Sequence, residues 1–269
     1  MFKFMLAALI SLPAFADNCS SVFDRRGESA SVNLEAINCY EKSLRNVTDA
    51  ETKSQYLVRL SYLKFFQAEN YSQRKESLLF EAMEIAEKGV LLFGSKYSLG
   101  DYRQLSASSQ TLVAEALYNY GLIVARYVDE KGVVEALKRM DDIKKSMTTI
   151  IRLKQESVAH YGAHRVLGIF HTKVPSIAGG DLKLAKTYLE TAVKGSLYSG
   201  DLSRYPLNHI VYSDYLYKVG ENDRACAELR KVINLTESDL RTLDNGLFHE
   251  SMDNIASAKA SFKERKCSR

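Results

Sequence analysis

From residue 18 to residue 264, apolar side chains return three or four positions apart in long stretches, the spacing that puts one greasy stripe on each helix. This pattern predicts helices over about 18–27, 32–45, 50–69, 73–93, 106–129, 133–153, 156–173, 181–195, 206–219, 222–235 and 250–264. Alternating apolar and polar runs bounded by turn residues, the mark of strands, are missing. Beyond Pro13 the chain has only Pro175 and Pro206, so little interrupts the helical reading. Thr48-Asp49 and Asp181 stand where a side-chain oxygen caps a helix start, and Gly94, Gly132, Gly195 and Gly220 stand where helices stop. Two connections are longer, 94–101 and 236–249.

Successive helices of this length predict antiparallel hairpins, and hairpin arrays leave a repeat in the sequence. The tetratricopeptide pattern places a bulky residue, Leu-Gly and an aromatic on one helix. A small, a large and a small residue follow on the next. Residues 161–197 match best, with His164, Leu167-Gly168 and His171, then Ala185, Leu189 and Ala192. Looser matches fall at Ala225, Leu229 and Val232, at Ala36, Tyr40 and Ser43, at Ala136, Met140 and Ile143, and at Ala82, Ala86 and Gly89. The fold expected is all-α, a tetratricopeptide-like superhelix of about eleven helices. An ordinary antiparallel bundle is the competing architecture.

The first residues change the setting of that fold. Lys3, an apolar run from Phe4 to Leu12 and small residues at Ala14 and Ala16 make up a cleavable secretion signal, cut after Ala16. Removing these 16 of the 269 residues leaves 253, expected to form one all-helical domain over 17–269. Asp17-Asn18 precede Cys19 where lipid attachment needs small uncharged residues, so a lipoprotein is disfavoured. No later span is long and apolar enough for a bilayer. The formal charge of +4, well mixed, gives no footprint for nucleic acid. Four cysteines in an exported chain predict disulfides. Two lie near each end, which favours Cys19 with Cys39 and Cys226 with Cys267 over the other pairings or free buried thiols.

Candidate chemistry is sparse. His160, His164 and His171 share one helical face, and His160 and His164 have the four-residue spacing of zinc proteases. The glutamate base and a third ligand are absent, so these histidines are read as packing residues or polar contacts to a ligand, with a metal-dependent hydrolase as a remote class. No metal site and no cofactor are expected. Pro175, Gly179, Gly180 and Asp181 form a turn that ends one helix and starts the next, and its glycine spacing does not suit phosphate. Among 16 tyrosines, Tyr118, Tyr120 and Tyr127 cluster in one helix, and Tyr212, Tyr215 and Tyr217 in another, either as core filler or as lining of an amphipathic groove. No nucleophile elbow accompanies a Ser-His-acid set, and an enzyme is not expected.

The stretch from His164 through Leu167-Gly168, Pro175, Gly179-Gly180-Asp181, Ala185, Tyr188-Leu189 and Ala192, followed by the aromatic helix at Asn208–Tyr215, resembles the T-component family of tripartite ATP-independent periplasmic (TRAP) transporters. The likeness covers about residues 105–235. It implies a periplasmic helical-repeat protein that associates with a TRAP solute-binding protein, forms trimers and encloses an apolar cavity. Family members are often lipoproteins, and this chain departs from that. On this reading His164, His171, Tyr212 and Tyr215 are the candidate ligand- or partner-binding residues. The competing assignment is a periplasmic repeat adaptor that grips a peptide or an envelope-assembly protein.

Overall fold

A computed structural model describes residues 16–200, 202–243 and 247–267. The expected secretion signal, but for Ala16, lies outside them. Thirteen α-helices follow one another among the described residues: α1 (Ala16–Asp24), α2 (Ala30–Leu44), α3 (Ala50–Asn70), α4 (Lys75–Leu91), α5 (Leu99–Arg103), α6 (Ala107–Lys131), α7 (Val133–Arg152), α8 (Gly162–Lys173), α9 (Leu182–Gly195), α10 (Leu207–Lys218), α11 (Asn222–Ile233), α12 (Glu237–Leu243) and α13 (Phe248–Glu264). The all-α expectation holds. The two long connections carry the short helices α5 and α12. A small antiparallel ladder, β1 (Leu197–Ser199) with β2 (Leu202–Ser203), appears where no strand was expected. It is too short to leave an alternating pattern.

Caps and stops set the helix ends. Asp49 accepts from the Thr52 amide at 2.8 Å, and Asp181 accepts from Lys183 and Leu184 at 2.8 and 3.1 Å, which satisfies amides that lack partners in a first turn. Asp181 follows a 3-10 turn at Ser176–Ala178 that starts behind Pro175. Gly179 has φ +92°, and a Cβ on Gly180 would lie 1.8 Å from the Val174 carbonyl oxygen. The two glycines therefore answer to different demands, one conformational and one steric.

Consecutive helices pack as antiparallel hairpins, α3 with α4, α6 with α7, α8 with α9 and α10 with α11. The small-large-small positions face these contacts, with Ala185, Leu189, Ala192, Ala225, Leu229 and Val232 all wholly buried. A Cβ on Gly168 would stand 2.4 Å from Leu189 Cγ, so the missing side chain lets α8 and α9 approach. Among the described residues the apolar interior falls into four clusters. The largest is centred on α4, α6 and α7 and reaches α3 and α8; a second lies among α1–α4, a third among α9–α11, and a fourth among α10–α13.

Disulfides close both ends. Cys19 is bonded to Cys39, tying α1 to α2, and Cys226 to Cys267, tying α11 to the residues after α13. No described helix is long and apolar enough to cross a membrane.

One helix boundary differs from expectation for a physical reason. The spacing predicts a helix from 156, but α8 begins at Gly162. Ala159, His160 and Tyr161 all take left-handed backbone, with φ of +51°, +53° and +61°. Such conformations cost roughly 1–2 kcal/mol per non-glycine residue, so contacts elsewhere must hold this turn.

Candidate ligand cavity

Those contacts come from Arg165, three residues into α8 and only 3% exposed. Its Nη1 donates to the Ala159 and His160 carbonyls at 3.3 and 3.4 Å and to Asn208 Oδ1 at 2.8 Å. Asn208, also buried, donates to the His160 carbonyl at 3.1 Å and to Ser196 Oγ at 2.8 Å. The left-handed turn is thus clamped from α8 on one side and α10 on the other. Arg165 Nη2 donates to the Tyr118 hydroxyl of α6 at 2.6 Å. Gly162 makes room for that ring, because a Cβ there would sit 2.3 Å from Tyr118 Cε2.

The clamped turn forms one wall of a cavity of about 480 Å³. Phe23 and Arg26 line it from the end of α1, Arg59 and Tyr62 from α3, Glu115, Tyr118 and Asn119 from α6, His160 and Arg165 from the turn and α8, and Tyr205 and Leu247 from later loops. His160 stacks on Tyr205 with ring centroids 5.7 Å apart, and the Arg165 guanidinium lies 4.7 Å from the Tyr205 ring centre. Asn119 fastens α6 to α3 through the Val58 carbonyl at 2.9 Å and Ser61 Oγ at 3.2 Å.

Charge in the cavity is unevenly balanced. Arg26, 2% exposed, is paired with Glu250 of α13 and lies 4.6 and 5.1 Å from the centres of the Phe23 and Tyr62 rings. Its Nη1 donates to the Phe23 carbonyl, while its buried Nε has no acceptor among the described residues. Tyr62 donates to the same Glu250 at 3.2 Å. Burial pushes the Tyr62 hydroxyl well above the ordinary phenol range, with Glu250 adding to it. Burial also lifts Tyr205, to about 12, against the opposing pull of Arg165. Glu115 is raised by burial too, and Arg59 only partly offsets this.

The four residues expected to bind a ligand or partner lie elsewhere. His164 sits between the Tyr161 and Tyr188 rings, at 5.9 and 5.8 Å, and His171 stacks on Tyr188 at 5.8 Å. Burial lowers the pKa of both histidines, and the Nδ1 atoms of both have no hydrogen-bond partner among the described residues. Tyr212 and Tyr215 stack on each other within the α9–α10–α11 core, where Tyr212 donates to Glu190 at 2.9 Å. The structure thus brings His164 to His171 around one tyrosine, and Tyr212 to Tyr215, but joins neither pair to the cavity. His171, Pro175, Gly180 and Asp181 instead border a second hollow of about 580 Å³ beside the Pro175 turn. The expected cavity lining was apolar; the cavity of about 480 Å³ instead mixes guanidinium groups with aromatic faces.

Of the residues that build the cavity, the sequence singles out only His160 and Tyr118. Arg165 leaves one signal, a cation next to His164 in a helix whose repeat positions are buried. Arg26, Arg59, Tyr62 and Tyr205 leave none, because they meet only through the stacking of distant hairpins.

Among the described residues no group of three or more His, Cys, Asp or Glu is placed to hold a metal ion. One buried pair has the look of acid-base machinery. His209 Nδ1 meets Glu228 Oε2 at 2.6 Å, but its Nε2 accepts the Ser203 amide at 2.9 Å. That bond puts the ring proton on Nδ1 and leaves no nitrogen to take a proton from a nucleophile. No protein-family model matches this sequence, and comparison with curated proteins finds no relative.

Proposed function

We propose that this chain is an exported helical-repeat binding protein without catalytic activity, which holds a small ligand in the cavity between α1, α3, α6 and α8. The observation that carries this reading is the cavity itself. Its volume of about 480 Å³ falls in the range of small-molecule sites, and its wall includes Ala159 and His160, two of three consecutive left-handed residues. Strain of that kind persists only where surrounding contacts over-determine it, and it gathers at functional sites.

The setting rests on other grounds. The Leu-Gly helix and the Gly-Gly-Asp turn support membership of the TRAP T-component type, with a periplasmic solute-binding protein as partner. Two disulfides support an oxidising compartment. For the trimer that the resemblance implies, Val133, Val134 and Leu137 at the start of α7 offer an apolar edge, 75%, 70% and 57% exposed.

Affinity capture of the tagged full chain from the periplasm, followed by mass spectrometry under native conditions, tests the proposal. Recovery of a solute-binding protein, with a small molecule retained by the captured chain, is the expected result. Recovery of envelope-assembly factors in place of a solute-binding protein would instead establish the adaptor assignment.

A further inference from the structure

We infer that the ligand of the central cavity is an amphiphilic oxyanion, a carboxylate, sulfonate or phosphate group carried on a flat apolar body. This rests on the cavity being a ligand site and specifies what that site recognises.

The case begins with Arg165, a fully charged group that burial makes costly unless an anion or enough acceptors surround it. Its partners are two backbone carbonyls, Asn208 Oδ1 and the Tyr118 hydroxyl, and none is a carboxylate. A guanidinium has five N–H donors. The bonds to these partners occupy Nη1 and one proton of Nη2, so among the described residues Nε and the second Nη2 proton meet no acceptor. Tyr118 accepts from Arg165, which turns its own hydroxyl proton elsewhere, and among the described residues nothing receives it. The Tyr205 hydroxyl, on the same wall, likewise has no hydrogen-bond partner among them.

The cavity is therefore rich in unspent donors. None of the nearby acids is paired with Arg165: Glu250 is engaged by Arg26 and Tyr62, Glu115 lies under the influence of Arg59, and Asp24 sits on the exposed rim. An oxyanion supplies several acceptor sites to such a donor set. The faces of Phe23, Tyr62 and Tyr205 and the side chains of Val58 and Val158 then suit a flat apolar body.

Two fluorescent probes with the same ring system separate the possibilities, anilinonaphthalene sulfonate and its neutral counterpart phenylnaphthylamine. The full disulfide-bonded chain should bind the sulfonate and bind the neutral dye far more weakly. Tyr118→Phe and Arg59→Gln should each weaken the sulfonate by roughly tenfold, the loss of one hydrogen bond to a charged group, and weaken the neutral dye several-fold less. These variants are chosen because Arg165 also pins the left-handed turn, and its replacement risks unfolding. Displacement of the bound sulfonate by benzoate, by phenyl phosphate or by both supports the inference and ranks the head groups; displacement by neither overturns it. Equal binding of both dyes, or sulfonate binding indifferent to both variants, overturns the oxyanion inference and leaves the cavity reading standing. Failure of both dyes to bind removes the cavity reading with it.

Discussion

Gly179 and Gly180 stand side by side, yet alanine should act differently at each. Gly179 has open space around it and a positive φ, so Gly179→Ala meets only the left-handed backbone cost, about 1 kcal/mol. Gly180→Ala drives a methyl into the Val174 carbonyl, and backbone cannot step aside as a side-chain tip can. A loss of about 3 kcal/mol is expected there, and urea unfolding of the two variants measures the difference. Equal losses would mean that the turn yields more readily than its geometry implies. Glu228 supplies a prediction in pH. Burial acts to raise its pKa, but hydrogen bonds from His209 and Lys231 outweigh burial and hold it below the ordinary carboxylate value. A depressed folded pKa contributes stability that is complete above the unfolded value and is lost as pH falls through the folded one. Thermal unfolding from neutrality down through the carboxylate range should therefore show a steeper acid loss in the native chain than in Glu228→Gln.

At the scale of elements, the two disulfides tie the first helix to the second and α11 to the residues after α13. Stacked hairpins are stabilised by their neighbours, so terminal ones fray first. Cys226–Cys267 spans 41 residues and Cys19–Cys39 spans 20. Loop-closure entropy assigns them ~4 and ~3 kcal/mol. Serine pairs at 226 and 267 should cost more than at 19 and 39, and hydrogen exchange should rise first in α13. The left-handed turn before α8 shows the reverse case, an element boundary set by partners remote in sequence. Its apolar spacing is compatible with helix from 156, but Arg165 and Asn208 bind carbonyls that a continuing helix would have used itself.

Across the whole molecule, Arg26 and Glu250 join the first helices to the last, 224 residues apart. Arg26 is almost wholly buried, so Glu250→Ala leaves a cation without its counter-ion and should cost roughly 3 kcal/mol or more. Replacing both residues with apolar ones of similar size should recover most of that loss in a double-mutant cycle. The four separate apolar clusters among the described residues also predict graded opening. The α4–α6–α7 centre should exchange its amides slowest, and the α11–α13 end should open without it. Uniform protection along the chain would contradict this.

Helix content and hairpin order were legible in the residues, because a 3.6-residue period and local caps act within one or two turns of chain. The small-large-small spacing of Ala185, Leu189 and Ala192 carried the repeat packing for the same reason, and the grouping of two cysteines near each end carried the disulfide pairing. The cavity belongs to the tertiary structure. His164, His171, Tyr212 and Tyr215 were conspicuous for residue type, yet the wall is built by Arg26, Arg59, Tyr62, Arg165 and Tyr205, ordinary in their own segments. What makes an arginine exceptional is burial without a carboxylate, and that depends on which hairpins stack beside it, an arrangement that no spacing along the chain encodes.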